Sequence, residues 1–234
     1  MSNDPKPEDL RAVAEAALRH VADGMTLGLG TGRAAEAFIQ ALGERVRRGL
    51  KVRGVPTSTR SAELARRLAI DVVELSDVRG IDVAFDGADE VTDALELTKG
   101  RGGALLRERV VAYEAARFVV LVTPDKLVDR LGARMPIPIE VVPFAEATTA
   151  RHLAALGGKP VLRTKADGFP YFTDNQNLVY DVDFGPIGDP RALAERARAI
   201  PGVVDTGIFL DMADLVLVGE GGRAREMTPP GAKR

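Results

Sequence analysis

In the first half of the chain, short apolar runs alternate with segments of helical period, and that alternation leaves few folds open. Residues 25–29 (MTLGL), 51–55 (KVRGV), 81–85 (IDVAF) and 118–122 (FVVLV) read as strands. Residues 8–22 carry Leu10, Val13, Ala14, Ala17, Leu18 and Val21 at helical spacing, and a second helical face holds Ala35, Phe38, Ile39, Leu42 and Val46. Residues 60–68 make a third helical segment with Ser58 or Thr59 as its N-cap, and 71–75 read as a further short strand. Strands and helices at this spacing predict parallel βαβ units and an α/β fold with a doubly wound, mostly parallel, Rossmann-like sheet. Such sheets bind ligands outside the carboxyl ends of their strands. Four strands end at 28–32, 56–59, 86–89 and 123–126, so a parallel sheet puts all four loops on one edge.

The third loop opens the stretch with the most chemistry, residues 81–113. Asp86-Gly87-Ala88-Asp89-Glu90 sets three carboxylates around a glycine, and Lys99-Gly100-Arg101-Gly102-Gly103 places a cation beside backbone amides. A helix starting near Ala104 aligns residues 104, 108, 111 and 115 on one face. That face reads Ala, Glu, Val, Ala, so Glu108 interrupts an apolar stripe. Leu106, Val110 and Tyr113 are apolar on the adjoining face and predict a well-buried helix. Burial strips water from a carboxylate and raises its pKa toward the range of a general base. Taken alone, a buried glutamate is more often tied up in an ion pair, and Arg107 and Arg109 are at hand. Asp86, Asp89 and Lys99 in the same stretch favour proton transfer on an anionic substrate.

The pattern changes at 135–143 (MPIPIEVVP). Proline cannot donate to a sheet ladder, so Pro136, Pro138 and Pro143 predict an edge strand or a crossover, with a possible role in subunit contacts. A helical segment (147–156), a strand (161–164), a turn at Ala166-Asp167-Gly168, an alternating run (178–184), a short helix (191–199) and a strand (203–209) follow. Their order predicts a second, smaller α+β domain with an antiparallel sheet over 131–204, the larger domain being 1–130 plus 205–234. Residues 215–218 (LVLV) return to the first sheet, and the polar tail from Gly221 reads as loose.

A length of 234 residues allows one large or two small domains, and 28% charged with 45% hydrophobic residues suits a globular chain. A formal charge of −2 leaves no electrostatic footprint for nucleic acid, so an anionic ligand must be held by local groups. Without cysteine there is no disulfide framework, thiolate nucleophile or zinc–thiolate site. His20 and His152 lie far apart and read as surface or packing residues, so no metal site is expected. The first ten residues are polar and no apolar run approaches ~20 residues, so neither a signal peptide nor a membrane span is expected, and the expected location is cytoplasmic.

Gly28-Leu29-Gly30-Thr31-Gly32, between a strand and a helix, is a usual seat for phosphate, though a tight turn needs the same glycines. No Gly-Lys-Ser/Thr follows, so it is not a P-loop; Gly30-x-Gly32-x-x-Ala35 matches the dinucleotide fingerprint only loosely. A nicotinamide-dependent dehydrogenase would want an acid after the second strand, where the chain has Gly54-Val55-Pro56. Thr57-Ser58-Thr59 can cap a helix or touch a ligand. Lys126, after Asp125, is a solvated loop lysine unless the four loops converge.

Five segments in order resemble one known family: Gly28 to Gly32, Pro56-Thr57-Ser58, Asp86 to Glu90, Lys99 to Glu108, and Pro138-Ile139-Glu140-Val141. Together they look like ribose-5-phosphate isomerase, type A, over about residues 8–220. The resemblance implies interconversion of ribose 5-phosphate and ribulose 5-phosphate in the pentose phosphate pathway through an enediol, with no cofactor or metal. It implies Glu108 as general base moving a proton between C2 and C1. Asp86 and Asp89 would assist ring opening and bind hydroxyls, and Lys99 would stabilise the developing oxyanion. Thr31, Gly32, Arg33 and Ala34 match one substrate-contacting segment; Asp86 to Asp89, with Gly87 and Ala88, match a second. Lys99, Gly100, Arg101 and Gly102 match the third, and Lys126 a further substrate-binding lysine. A homodimer or homotetramer is implied as well.

Two positions depart from the family pattern. Arg33-Ala34 replace a usual Ser-Thr pair, exchanging two hydroxyls for a guanidinium able to pair with phosphate. Arg101 stands where glycine is often found, and either adds charge near substrate or points to solvent. A sugar-phosphate-sensing module of the same fold is the alternative from a different class. It would need a DNA-binding domain, and only some twenty residues precede the first strand. Coenzyme A transferases resemble this fold too and use a glutamate nucleophile. Neither accounts for the paired segments at 86–90 and 99–108.

Overall fold

A computed structural model describes residues 5–229 of the chain. The larger sheet is built from β1 (Thr26–Leu29), β2 (Arg53–Pro56), β3 (Asp71–Val72), β4 (Val83–Gly87), β7 (Phe118–Val122), β13 (Leu215–Glu220) and β14 (Arg223–Met227). A three-stranded sheet holds β5 (Glu90–Val91), β6 (Leu97–Thr98) and β12 (Ile208–Phe209). A four-stranded one holds β8 (Ile137–Val141), β9 (Lys159–Leu162), β10 (Leu178–Asp183) and β11 (Val203–Thr206). The helices are α1 (Pro7–Ala17), α2 (Arg33–Arg47), α3 (Thr59–Arg67), α4 (Leu105–Glu114), α5 (Glu146–Ala155) and α6 (Pro190–Arg198).

The larger sheet runs β14-β13-β7-β4-β1-β2-β3, parallel throughout except for the β13–β14 hairpin. Its inner strands β1, β4, β7 and β13 are buried and largely apolar on both faces, as expected where both faces are covered, while the edge strands β3 and β14 are partly exposed. Leu27, Leu29, Val83, Phe85, Val119 and Leu121 pack with Val13 of α1 and with Phe38, Ile39 and Leu42 of α2. Ala84, Val120, Val122, Val216 and Val218 face Val111 and Ala112 of α4. A Cβ at Gly28 would stand 2.6 Å from Val111 and 2.7 Å from Ala84, so the glycine lets α4 lie close on β1. Chain order reverses between β1 and β4, which makes their carboxyl ends the switch-point crevice of the sheet.

The smaller sheet runs β11-β8-β10-β9, antiparallel, over its own core of Ile137, Ile139, Val141, Leu153, Leu178 and Val182. The fold is α/β with a mostly parallel doubly wound sheet and a separate antiparallel one.

Four expectations change. The 135–143 segment is no edge strand but the crossover into the smaller sheet: β8 is central there, paired on both sides and wholly buried, while Pro143 beyond its end is exposed. Pro138 is tolerated there because its carbonyl takes the Gly207 N–H at 2.7 Å, while the Gly207 carbonyl accepts the Lys99 N–H at 2.8 Å instead of a proline donor. Residues 203–209 break at that same Gly207 into β11 and β12, which serve different sheets. The first part of the tail, Gly221 to Met227, is ordered into a turn and β14, because Gly221 and Gly222, at φ of 59° and 71°, turn the chain back on β13; residues 230–234 lie outside the described residues. Finally, Val110 and Tyr113 of α4 are exposed, at 43% and 80%: the sheet takes the Leu105, Glu108, Val111 face and leaves the adjoining one outside.

Candidate active site

A cavity of about 460 Å³ opens at the switch point. The β1–α2 loop contributes Thr31, Gly32, Arg33 and Ala34; the loop after β4 gives Gly87, Ala88 and Asp89. Lys99, Gly100, Arg101 and Gly102 form another wall, Glu108 lies at the start of α4, and Lys126 follows β7. Asp86 sits beneath the cavity, hydrogen-bonded to its floor. Leu10 of α1, Leu121 and Val122 of β7 and Thr123 just after it also line the cavity. The loop at 56–59 stays outside the lining and acts behind it. Thr31 Oγ1 lies 2.7 Å from Thr57 Oγ1 and 2.8 Å from Ser58 Oγ, and Ser58 Oγ also caps α3 by accepting the Ser61 N–H.

The floor is a buried charge cluster. Lys99 Nζ donates to the Gly87 carbonyl at 2.5 Å and lies 3.0 Å from Asp86 Oδ2 and 3.5 Å from Glu108 Oε2. The three side chains retain only 2–4% exposure. Asp86 Oδ1 accepts the N–H groups of Thr31 (3.0 Å) and Gly87 (2.7 Å). Gly30 is required for this approach, since a Cβ there would meet the Asp86 carboxylate at 2.3 Å. Asp89, half-buried, accepts the Arg101 N–H at 3.0 Å.

Arg107 and Arg109 do not satisfy Glu108. Arg107 turns to Asn175 and Asp174; Arg109 pairs with Asp205, donates to the Thr206 and Ile208 carbonyls and stacks on Phe209. Glu108 Oε2 is left with the Lys99 charge and no well-formed hydrogen bond. Burial pushes the Glu108 carboxyl up to about 8; Lys99 opposes the shift, and the nearby Asp86 and Asp89 charges add to it. Burial also raises Asp86 against the pull of Lys99, and raises Asp89 against the Arg101 N–H. For Lys99 burial works the other way, but the Asp86 and Glu108 charges outweigh it and keep the ammonium protonated. A fixed cation therefore sits beside a carboxyl group that exchanges its proton near neutral pH.

Sequence reasoning missed the shell behind the glycine loop. Glu90 is buried and accepts the N–H groups of Gly132 (2.6 Å), Arg134 (2.7 Å) and Met135 (3.2 Å), so it braces the chain entering β8. Arg163 donates to the Gly100 and Arg101 carbonyls, and Tyr171 Oη approaches the Gly102 carbonyl at 3.4 Å. Only the carboxylate at Glu90 carried a signal in sequence, and it was indistinguishable from its neighbours.

Residues 53–222 match the family described as ribose 5-phosphate isomerase A (phosphoriboisomerase A). Over 200 residues the chain is 53% identical to ribose-5-phosphate isomerase A of Thermomicrobium roseum, covering 85% of this chain and 84% of that one. The relative from Roseiflexus sp. is 49% identical over 223 residues, 94% of this chain and 96% of that one. The solved structure of ribose 5-phosphate isomerase A from Methanocaldococcus jannaschii is similar with a TM-score of 0.90 at 44% identity, over 95% of this chain and all of that one. A D-ribose-5-phosphate isomerase solved in complex with phospho-erythronic acid has a TM-score of 0.93 at 41% identity, covering 96% and 100%. By sequence over most of its length and by fold over nearly all of it, the chain belongs to the ribose 5-phosphate isomerase A family.

Proposed function

We propose that the chain interconverts D-ribose 5-phosphate and D-ribulose 5-phosphate through an enediol. The carrying observation is the pairing at the cavity floor, where the underbonded Glu108 carboxyl lies 3.5 Å from the Lys99 ammonium. In the open-chain aldose, ionised Glu108 removes the C2 proton; the electron pair forms the C1–C2 double bond and charge moves to O1. Lys99 stabilises that oxyanion as a preorganised cation in a site shielded from water. A proton passes from O2 to O1, and Glu108 returns its proton to C1 to complete the ketose. A base with a pKa near the working pH suits a step in which the same group takes and gives a proton.

Asp89 serves ring opening and holds sugar hydroxyls from the cavity wall, while Asp86, beneath it, holds the Lys99 ammonium and the Thr31 and Gly87 peptides that face the substrate. For the phosphate, α2 begins at the cavity without a side-chain cap, so its first-turn N–H groups remain for an anion. Arg33, in that turn, and Lys126 supply positive charge at the rim. The relative carrying phospho-erythronic acid, an open-chain sugar acid phosphate, supports a ligand of this class. The region 131–204 is read as a separate smaller domain, supported by its own sheet and core.

The test is proton NMR of ribose 5-phosphate in D₂O with purified protein. Expected are loss of the C2 proton signal and growth of ribulose 5-phosphate carrying deuterium at C1. Line broadening without turnover would replace the isomerase with a sugar-phosphate-binding module.

A further inference from the structure

We infer that Arg163, held by Asp181, is a positioning residue that sets the Gly100–Arg101–Gly102 peptides for the reaction. Arg163 follows β9, on the smaller sheet. Its Nε donates to Asp181 Oδ2 at 2.9 Å and Nη2 to Asp181 Oδ1, a bidentate pair that fixes the plane of the guanidinium. The remaining nitrogen, Nη1, donates to two successive carbonyls, Gly100 at 2.9 Å and Arg101 at 3.1 Å.

A trans peptide points its carbonyl and the following N–H in opposite directions. With the Gly100 carbonyl turned to Arg163, the Arg101 N–H must point away, and it meets Asp89 Oδ2 at 3.0 Å. With the Arg101 carbonyl turned the same way, the Gly102 N–H also points away from Arg163, and Gly102 lines the cavity. The Gly100 carbonyl also accepts the Gly103 N–H at 2.9 Å, so the turn and the guanidinium together aim the Asp89 donor, while the guanidinium holds the Arg101 carbonyl that aims the cavity-wall amide of Gly102. The planar fork makes a bidentate pair with the carboxylate and still turns Nη1 to both carbonyls, a geometry that the single ammonium point of lysine does not reproduce.

A second cavity of about 240 Å³ lies behind the loop, lined by Arg163, Asp181, Asp89, Arg101 and Pro138. It gives a small cation a route to the space that Arg163→Ala would vacate. The role in turnover rests on the isomerase reading; the role in aiming the peptides does not.

Arg163→Ala therefore gets two measurements, with wild-type turnover as reference. In the ligand-free protein, amide hydrogen exchange at Arg101 should speed up on the order of tenfold as its bond to Asp89 loosens. In the isomerase assay, kcat should fall about 100-fold with a far smaller change in KM. Methylguanidinium should recover part of the lost kcat in a saturable way, and Arg163→Lys should stay close to the alanine variant. Unchanged Arg101 exchange would overturn the inference. So would wild-type kcat in Arg163→Ala, or a loss of activity that follows thermal unfolding and ignores methylguanidinium. Should the wild type show no turnover, the isomerase reading fails and the exchange measurement decides the inference alone.

Discussion

Glu90 and Glu108 belong to one short stretch of chain, and both are buried, at 1% and 3% exposure. Their surroundings differ in donors. Glu90 receives three backbone N–H groups, which tie the start of β8 to the edge of the site. Glu108 receives one ammonium at 3.5 Å, while the two arginines beside it in sequence are engaged elsewhere. Burial makes a carboxylate costly, and hydrogen bonds decide what becomes of that cost. Where donors saturate it, the group is an anchor; where they do not, burial raises its pKa and it can take up and release a proton near neutral pH. Glu140 in β8 lies between the two: its Oε1 accepts from Thr173, Asn175 and Asn177 and so shapes the turn that meets Arg107, while its buried Oε2 has, among the described residues, no hydrogen-bond partner and no cation beside it of the kind Lys99 gives Glu108.

The sharpest way to break this contrast is to neutralise each glutamate in turn. Glu108→Gln should lower kcat about 10²–10⁴-fold while substrate still binds, read by steady-state kinetics and calorimetry. Near-normal turnover would remove Glu108 from the role of base. Glu90→Gln should keep most of its kcat at low temperature but lose about 3 kcal/mol of stability. For a chain of this size that is a fall of roughly 6–12 °C in Tm. Equal effects on rate and stability in both variants would erase the distinction.

Acidity gives a second handle. The base must be ionised, so wild-type kcat/KM should fall about tenfold per pH unit below the Glu108 pKa of about 8. Stability runs the opposite way. An unfolded glutamate ionises near 4.5 and the folded one near 8, so between these values the folded state binds more proton and loses stability as pH rises. Glu108→Gln lacks that penalty, and its Tm above pH 8 should exceed that of the wild type. The smallest expected effect is at the cavity rim, where Arg33→Ala should raise KM up to about tenfold through a lost charge-assisted bond to phosphate and leave kcat nearly unchanged.

Much of this was legible in the chain. The apolar runs at 25–29, 81–85 and 118–122 needed only their lengths and helical spacers to imply a parallel sheet. Their terminal loops then had to share an edge, which brings Thr31 to Ala34, Gly87 to Asp89 and Lys126 to one cavity; Lys99 to Gly102 and Glu108 join them from the segment after β6 and from α4. Harder to read were places where a local rule was overruled from afar. Pro138 sits in a central strand because Gly207 and Lys99 rearrange the missing bond. The apolar Val110–Tyr113 face is exposed because a helix lying on a sheet buries only one side.

Sequence by itself determined the layers of the fold, the edge on which the loops meet, and the residue types gathered there, because periodicity and glycine placement act locally along the chain. Tertiary structure alone decided which buried carboxylate is braced and which is free to exchange a proton. It also decided that Arg163, far along the chain, would set the peptides next to Lys99. Those outcomes depend on hydrogen-bond partners, and partners are chosen by how distant segments pack.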